Sequence, residues 1–327
     1  MKILVTGASG FIGSHMVDYA LRLGYEVWAA LRPTSSRRNL RDERIRFITL
    51  DYTDARFLDT QLRKHSAEYG CWDVVIHCAG ATKCSRHKDF YTINYDYTRR
   101  FADALVMHNM VPRQFIFVST LGTYGPIRES QPYRPISEAD TPQPNTDYGR
   151  SKRMAEEYLM SLPSFPYLIF RPTGVYGPRD RDYAILISSI RHHVELTVGT
   201  VRQELTFLYV DDLVKAVFLA VAKEVTRRSY FVTDGNVYTA RDFGDTVQRT
   251  LGISHVFHIV VPQWVAWFVA MVCDVVSHIV GRAFTFNSDK FRILKQRNWT
   301  CDIEPLVTEL GFRPEYDLKR GIKATMA

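Results

Sequence analysis

No two cysteines in this chain fall in a C-x-x-C spacing. The five that occur, at 71, 78, 84, 273 and 301, are scattered and odd in number. Neither a disulfide framework nor a zinc site is expected, so no metal is expected, and reduced thiols suit a cytoplasmic protein. Repeats and low-complexity tracts are missing. No uninterrupted apolar run reaches the roughly 20 residues a bilayer span needs. The longest, 259–280, is broken by Pro262, Asp274 and His278. It is expected to be a buried or lid helix of a second lobe, with attachment to a membrane surface as the alternative. The first apolar strand starts at residue 2 or 3, so no signal peptide is expected. Nor is charge of one sign concentrated. The formal charge is +7, but the densest basic stretch (Arg32, Arg37, Arg38, Arg41, Arg44, Arg46) is interrupted by Asp42 and Glu43. A nucleic-acid binder needs a basic face with interleaved aromatics. Nucleic acid is therefore not an expected partner, and a bound small molecule accounts for the arginines.

What the chain does have begins at once. Ile3-Leu4-Val5 leads into Thr6-Gly7-Ala8-Ser9-Gly10-Phe11-Ile12-Gly13. A helical pattern follows (Met16, Tyr19, Ala20, Leu23), Gly24 closes it, and Glu26–Leu31 reads as a second strand. This is a βαβ unit opened by a glycine-rich turn. Gly7 permits the tight turn, Gly10 lets the backbone approach a pyrophosphate, and Gly13 lets the helix pack close to the strand. A pyrophosphate then lies at a helix N-terminus, where free N–H groups and the dipole favour an anion. The turn thus predicts dinucleotide binding.

Further strands are expected at Lys2–Val5, Arg46–Thr49, Val74–His77, Gln114–Ser119, Tyr167–Arg171 and Tyr230–Val232, with helical patterns between them. That alternation predicts an α/β fold with a doubly wound parallel sheet of Rossmann type. Beyond about residue 178 the order loosens, with a strand-like Leu205–Val210. This suggests a dinucleotide-binding domain over 1–177 plus about 207–235. A smaller substrate lobe would take about 178–206 plus 236–327. Pro126–Pro144 reads as a long loop near the site.

Tyr148-Gly149-Arg150-Ser151-Lys152 opens a helical pattern and puts Tyr148 and Lys152 on one face. Free tyrosine titrates near 10. A nearby ammonium favours the phenolate, so a tyrosine tuned this way exchanges a proton with an alcohol while hydride moves at the same carbon. A hydroxyl pair, Ser119-Thr120, ends the intervening strand, where open α/β sheets bind ligands.

Taken with His77-Cys78-Ala79-Gly80, Asn94 and Thr98, Arg171-Pro172-Thr173-Gly174-Val175-Tyr176-Gly177-Pro178 and Tyr209-Val210-Asp211-Asp212, the chain resembles the extended short-chain dehydrogenase/reductase superfamily. That group contains nucleotide-sugar epimerases and 3β-hydroxysteroid dehydrogenases. The resemblance implies that Thr120 orients the reacting oxygen, that Tyr148 is the acid/base, and that Lys152 lowers its pKa and holds the nicotinamide ribose. It implies cofactor contacts from Gly7, Ser9, Gly10, Phe11, Ile12, Ala79, Gly80, Tyr148, Lys152 and Pro172, adenine contact from Asp51 and support of the cofactor from Asn94. For Asp51 and Asn94, ordinary turn and cap chemistry is the competing reading. The resemblance also suggests a homodimer through the helices around 94–107 and 148–160.

NAD-selective members end strand two with an acid. Here Leu31 and then Arg32 stand there, and a guanidinium pairs with phosphate oxygens, so NADP is expected and NAD is the alternative. Dehydratase members carry Asp-Glu after the catalytic Thr, where this chain has Leu121-Gly122. Nucleotide-sugar enzymes carry an Asn and an Arg where this chain has Gly174 and Leu205. Arg179, Arg181 and Arg202 are available to compensate, which keeps an epimerase as the alternative function. The expected reaction is hydride transfer between nicotinamide and an apolar secondary alcohol or ketone, steroid-like or aryl. A cofactor-binding protein without catalysis is the minor alternative, against which Thr120, Tyr148 and Lys152 all stand.

Overall fold

Near-continuous runs of Val, Ile, Leu and Phe make strands that can be buried on both faces, and such strands belong in a parallel sheet covered by helices. The computed structural model describes residues 1–281 and 284–327. Seven parallel strands form the central sheet. They are β1 (Lys2–Thr6), β2 (Glu26–Leu31), β3 (Arg46–Thr49), β4 (Val74–His77), β5 (Gln114–Val118), β6 (Tyr167–Pro172) and, later in the chain, β10 (Arg228–Val232). Their order is β10-β6-β5-β4-β1-β2-β3, so the winding reverses between β1 and β4. The expected Rossmann-type α/β fold is borne out.

One face of the sheet carries α1 (Phe11–Arg22), α7 (Val210–Ala222) and α11 (Glu304–Leu310), packed through Met16, Val17, Leu213, Val217 and Leu306. The other face carries α2 (Ala55–Tyr69), α4 (Tyr97–Met107) and α5 (Asp147–Ser161), packed through Leu58, Leu62, Phe101, Leu105, Ala155 and Leu159. A short helix, α3 (His87–Tyr91), runs into a π-helical turn, Thr92–Asp96, before α4.

Two small parallel ribbons lie outside the main sheet. β7 (Gly174–Tyr176) pairs with β9 (Phe207–Tyr209), and β8 (Val194–Val198) pairs with β11 (Phe257–Val261). They are joined by α6 (Asp182–Arg191), α8 (Asp242–Leu251), α9 (Gln263–Val280), α10 (Ser288–Lys295) and α12 (Leu318–Met326). A separate aromatic-rich core, including Tyr176, Phe207, Tyr209 and Phe243, holds this region together.

One expectation is corrected. The apolar segment does form a helix, α9, but it is not a buried one. Only Ala266, Ala270 and Ser277 are buried, while Trp264, Trp267, Phe268, Met271, Val275 and Ile279 are exposed. The reason is that α10 and the β8–β11 ribbon cover a single narrow stripe of it, through Phe291, Val198 and Val261 against Ala266 and Ala270.

Candidate active site

The reversal of winding opens a crevice at the carboxyl ends of β1, β4 and β5. The loops leaving those ends are Gly7–Gly10, Cys78–Gly80 and Ser119–Thr120. Gly7 has φ +63°, and a Cβ there would lie 2.7 Å from the backbone of Cys78 and Ala79. A Cβ on Gly13 would lie 2.3 Å from the Gly7 carbonyl oxygen. Only glycine fits either place, and together they bring α1 against β1. The N-terminus of α1 has no side-chain cap and no acid in its first turn. Its free N–H groups and positive dipole end face the crevice unneutralised, which fits the pyrophosphate of a dinucleotide. Ser9, Gly10, Phe11 and Ile12 form this turn.

Beneath it lies a buried relay that fixes the loop after β4. Thr6 Oγ1 bonds His77 Nδ1 at 2.8 Å and accepts from the Ala79 N–H at 3.2 Å, and His77 Nε2 meets Thr98 Oγ1 at 3.1 Å. Burial pulls the His77 pKa down to about 3, so the ring is neutral. Asn94 is fully buried in the π-helical turn. Its Oδ1 accepts from the Ala81 N–H at 2.7 Å, and its Nδ2 donates to the Ala81 carbonyl and to Ser151 Oγ, each at 3.0 Å. Asn94 therefore ties the Ala79-Gly80-Ala81 loop to the helix carrying Tyr148. Asn94 is expected to support the cofactor, and its polar atoms are bonded to the loop after β4 and to α5.

Thr120, Tyr148 and Lys152 come together. Thr120 Oγ1 accepts from the Gly122 N–H at 3.1 Å and stands near the Tyr148 phenol. Burial pushes the Tyr148 pKa up to about 12, and the nearby Thr120 hydroxyl offsets part of this. The side chain is thus a neutral phenol, a proton donor. The lowering expected from Lys152 is not seen: desolvation dominates, and Thr120 is the group that opposes it. Lys152 is buried, donates to the Val118 carbonyl at 2.6 Å and stands 3.9 Å above the Phe117 ring. Burial pulls its pKa down to about 8, with Glu156 and Cys78 opposing.

That value carries a prediction. An ammonium with a pKa near 8 is present below that pH and lost above it. If Lys152 grips the nicotinamide ribose, coenzyme affinity falls as pH rises through about 8. In Lys152→Met the affinity is weaker and this step is gone. Fluorescence titration of the coenzyme across pH checks both, and a step that survives in the variant would assign it to another group.

The remaining sites are placed as follows. Arg32, exposed just after β2, lies beside Asp51, just after β3. Bonds from the Thr53 hydroxyl and N–H hold the Asp51 pKa below the carboxylate range, with Arg32 adding to this. One Asp51 oxygen is thus engaged in a turn. Pro172 ends β6 and is buried.

Sequence reasoning passed over the groups behind the site. Glu156, one turn beyond Lys152, is fully buried and takes three bonds from Arg171 (3.1, 3.0 and 2.9 Å) and one from Ser119 Oγ. Asp289 of α10 accepts from the N–H groups of Asp147 (2.9 Å) and Tyr148 (3.2 Å), capping the catalytic helix. The Y-x-x-x-K-x-x-x-E spacing was a local signal for Glu156. Asp289 lies too far along the chain to leave one.

The chain matches the model of the NAD dependent epimerase/dehydratase family over residues 3–232. It is similar to a putative UDP-glucose 4-epimerase of Methanocaldococcus jannaschii, 26% identical over 98% of this chain and 96% of the relative. The dTDP-D-glucose 4,6-dehydratase of Bos taurus is 30% identical over 68% of this chain and 65% of the relative. The decarboxylating sterol-4-alpha-carboxylate 3-dehydrogenase of Dictyostelium discoideum is 23% identical over 98% of each chain. Among solved structures, the UDP-glucose 4-epimerase of Thermotoga maritima with UDP-glucose superimposes with a TM-score of 0.78 at 23% identity, over 99% of this chain and 97% of that one. A glycine turn on an uncapped helix, a Thr-Tyr-Lys set beside it and a family match across the whole sheet lead to one conclusion: the chain belongs to the NAD dependent epimerase/dehydratase family and is an enzyme of the extended short-chain dehydrogenase/reductase type.

Proposed function

We propose that this protein is an NADP-dependent oxidoreductase that moves hydride to or from an apolar secondary alcohol or ketone. The nicotinamide supplies or takes the hydride. Tyr148 holds the proton delivered to the carbonyl oxygen, Thr120 orients that oxygen, and Lys152 steadies the coenzyme and the site's charge.

One observation carries the substrate class. At Gly174, where nucleotide-sugar members of the superfamily carry an Asn, a Cβ would lie 2.1 Å from the Tyr183 hydroxyl. The space is already filled by the Tyr183 ring, which packs against Phe207 and Phe243 at centroid distances of 6.0 and 5.0 Å. Leu205, where those enzymes carry an Arg, packs against the same cluster. The arginines that were candidates to compensate are largely committed. Arg179 pairs with Asp18 at 2.8 Å and Arg202 with Glu204 at 3.3 Å, leaving Arg181. A diphosphate grip is thus replaced by aromatic surface. Dehydration lacks its groups as well, since Leu121 is buried and Gly122 has no side chain.

Calorimetric titration with uridine and thymidine diphosphates tests this. Two missing charge-assisted bonds at roughly 1.5–3 kcal/mol each leave binding at least about a hundredfold weaker than a nucleotide-sugar enzyme needs. Micromolar binding would instead favour the second reading, a nucleotide-sugar epimerase. That reading is supported by the Methanocaldococcus jannaschii relative, whose similarity runs the length of both chains.

The coenzyme reading rests on Leu31, a buried apolar end to β2, followed by the exposed Arg32. Arg37 is occupied over the Phe47 ring at 4.2 Å, while Arg32 and Arg38 are exposed and available to a 2′-phosphate. Arg32→Asp is expected to weaken NADPH far more than NADH. Titration of both coenzymes against both proteins checks it, and equal losses would remove Arg32 from the role. We infer a homodimer through α4 and α5, where Val106, Met107 and Met154 are exposed.

A further inference from the structure

The exposed face of α9 has not been used by the site. Its 18 residues have a mean hydropathy of 1.5, and only 17% of them are buried. At 100° per residue, the exposed apolar positions Trp264, Trp267, Phe268, Val269, Met271, Val272, Val275, Val276, Ile279 and Val280 sweep about 220° of the helix. The stripe a helix uses to pack on a neighbour is about 100° wide. A partner helix would leave half of this face in water, whereas a continuous apolar solvent covers all of it.

The face extends beyond the helix. In the β8–β11 ribbon, Leu196 pairs with Ile259 and Val198 with Val261, so these four and Phe257 share one side of the ribbon. Val198 and Val261 pack under α9 with Ala266 and Ala270, while Leu196, Phe257 and Ile259 stay exposed. Ribbon and helix form one surface. Its rim is basic. At the start of the ribbon stand Arg191, His192, His193 and His255, all exposed, with His193 Nδ1 bonded to the His255 carbonyl at 2.7 Å. α10, packed along α9, ends in the exposed Lys295. The carboxylate on α9 itself, Asp274, is turned inward to the Ser288 N–H at 3.2 Å.

The helix is long enough to cross a bilayer by composition, but the fold holds it flat. β11 leads directly into it, and α10 folds back along it, through the Asp274–Ser288 bond and through Phe291 on Ala266 and Ala270. A crossing would place those two flanks on opposite sides of the membrane.

We propose that α9 and the β8–β11 ribbon dock this protein on the surface of an anionic phospholipid bilayer, with the apolar face in the acyl boundary and the basic rim at the headgroups. Docking bears on the site because α10 also caps α5 through Asp289. The surface that meets lipid is one helix removed from Tyr148, so docking holds the site close to a membrane-dissolved alcohol or ketone. This last link rests on the proposed function, and the docking does not.

The experiment is sedimentation of the full chain with phosphatidylcholine vesicles, with and without phosphatidylglycerol, alongside a Trp264→Glu, Phe268→Glu, Ile279→Glu variant. All three positions are exposed, Trp264 and Ile279 to 73% and 77%, so the variant keeps its core, and coenzyme binding verifies that. Wild type is expected to partition onto the anionic vesicles with a blue shift of tryptophan emission and quenching by brominated lipid. The variant is expected to bind at least about tenfold more weakly. Wild type that stays free, or equal binding by both proteins, overturns the proposal. Equal binding to neutral vesicles overturns the headgroup assignment. A larger assembly that the variant lacks, with no vesicle binding by either, gives the face to a second copy instead. Vesicle binding alongside tight uridine diphosphate binding would sink the substrate reading alone.

Discussion

Tyr148→Phe is expected to lower turnover at least about a hundredfold, the usual worth of a positioned acid/base, while coenzyme binding stays nearly intact. The structure explains why the loss falls on chemistry. Burial keeps the Tyr148 phenol protonated, with its pKa pushed up to about 12, and the Thr120 hydroxyl stands near it. The proton is therefore stored on an oxygen that does little else, and removing it leaves the packing of α5 unchanged. The coenzyme cradle we propose is built from other parts, namely the Gly7–Gly13 turn and the loop that Thr6 and Asn94 hold. Steady-state kinetics with a coenzyme titration checks both halves. A variant keeping more than about a third of the wild-type rate would remove Tyr148 as the acid/base.

The second large effect is on stability. Arg171 and Glu156 lie under the site with 3% and 0% of their side chains exposed. Removing one member of such a pair strands the other's charge in a dry interior, which costs about 3–5 kcal/mol. Arg171→Met is expected to lose that much in urea unfolding, because Glu156 then keeps only the Ser119 hydroxyl and the longer Arg153 contact at 3.5 Å in place of three guanidinium bonds. Arg171→Met with Glu156→Met removes both charges, and most of the loss should return. If single and double variants unfold at the same denaturant concentration, the ion pair is not what the single substitution breaks.

Where local pattern decided structure, the sequence could be read directly. β1, β2 and β4 stand where apolar runs between turn residues put them, because a strand buried on both faces leaves an unbroken signature. The glycine turn was legible for a related reason: Gly7 and Gly13 meet backbone atoms at distances no Cβ tolerates. The Thr120, Tyr148 and Lys152 group was found from a four-residue spacing and a strand end, and the fold places all three at one point.

Long-range partners escaped. The β8–β11 ribbon joins strands with the whole of α7, β10 and α8 between them, and its outer strand alternates poorly because both its faces are partly open. Asp289 caps a helix that begins 142 residues earlier in the chain. The π-helical turn at Thr92–Asp96 reads as ordinary helix from its pattern, yet its extra residue sets Asn94 to face Ala81 and Ser151. α9 misled for a physical reason. Apolar composition normally means burial, and here it accompanies a wide exposed face.

The central claim is that one hydride passes between nicotinamide and an apolar carbonyl or hydroxyl carbon, with net use of the coenzyme. The direct measurement is NADPH absorbance in the presence of steroid ketones, aryl ketones and nucleotide sugars side by side, with product analysis of each. Stoichiometric oxidation of NADPH by an apolar ketone, with no turnover of the sugars, is the expected result. Interconversion of a nucleotide sugar with its epimer at constant coenzyme absorbance, and no reaction with any ketone, would contradict it.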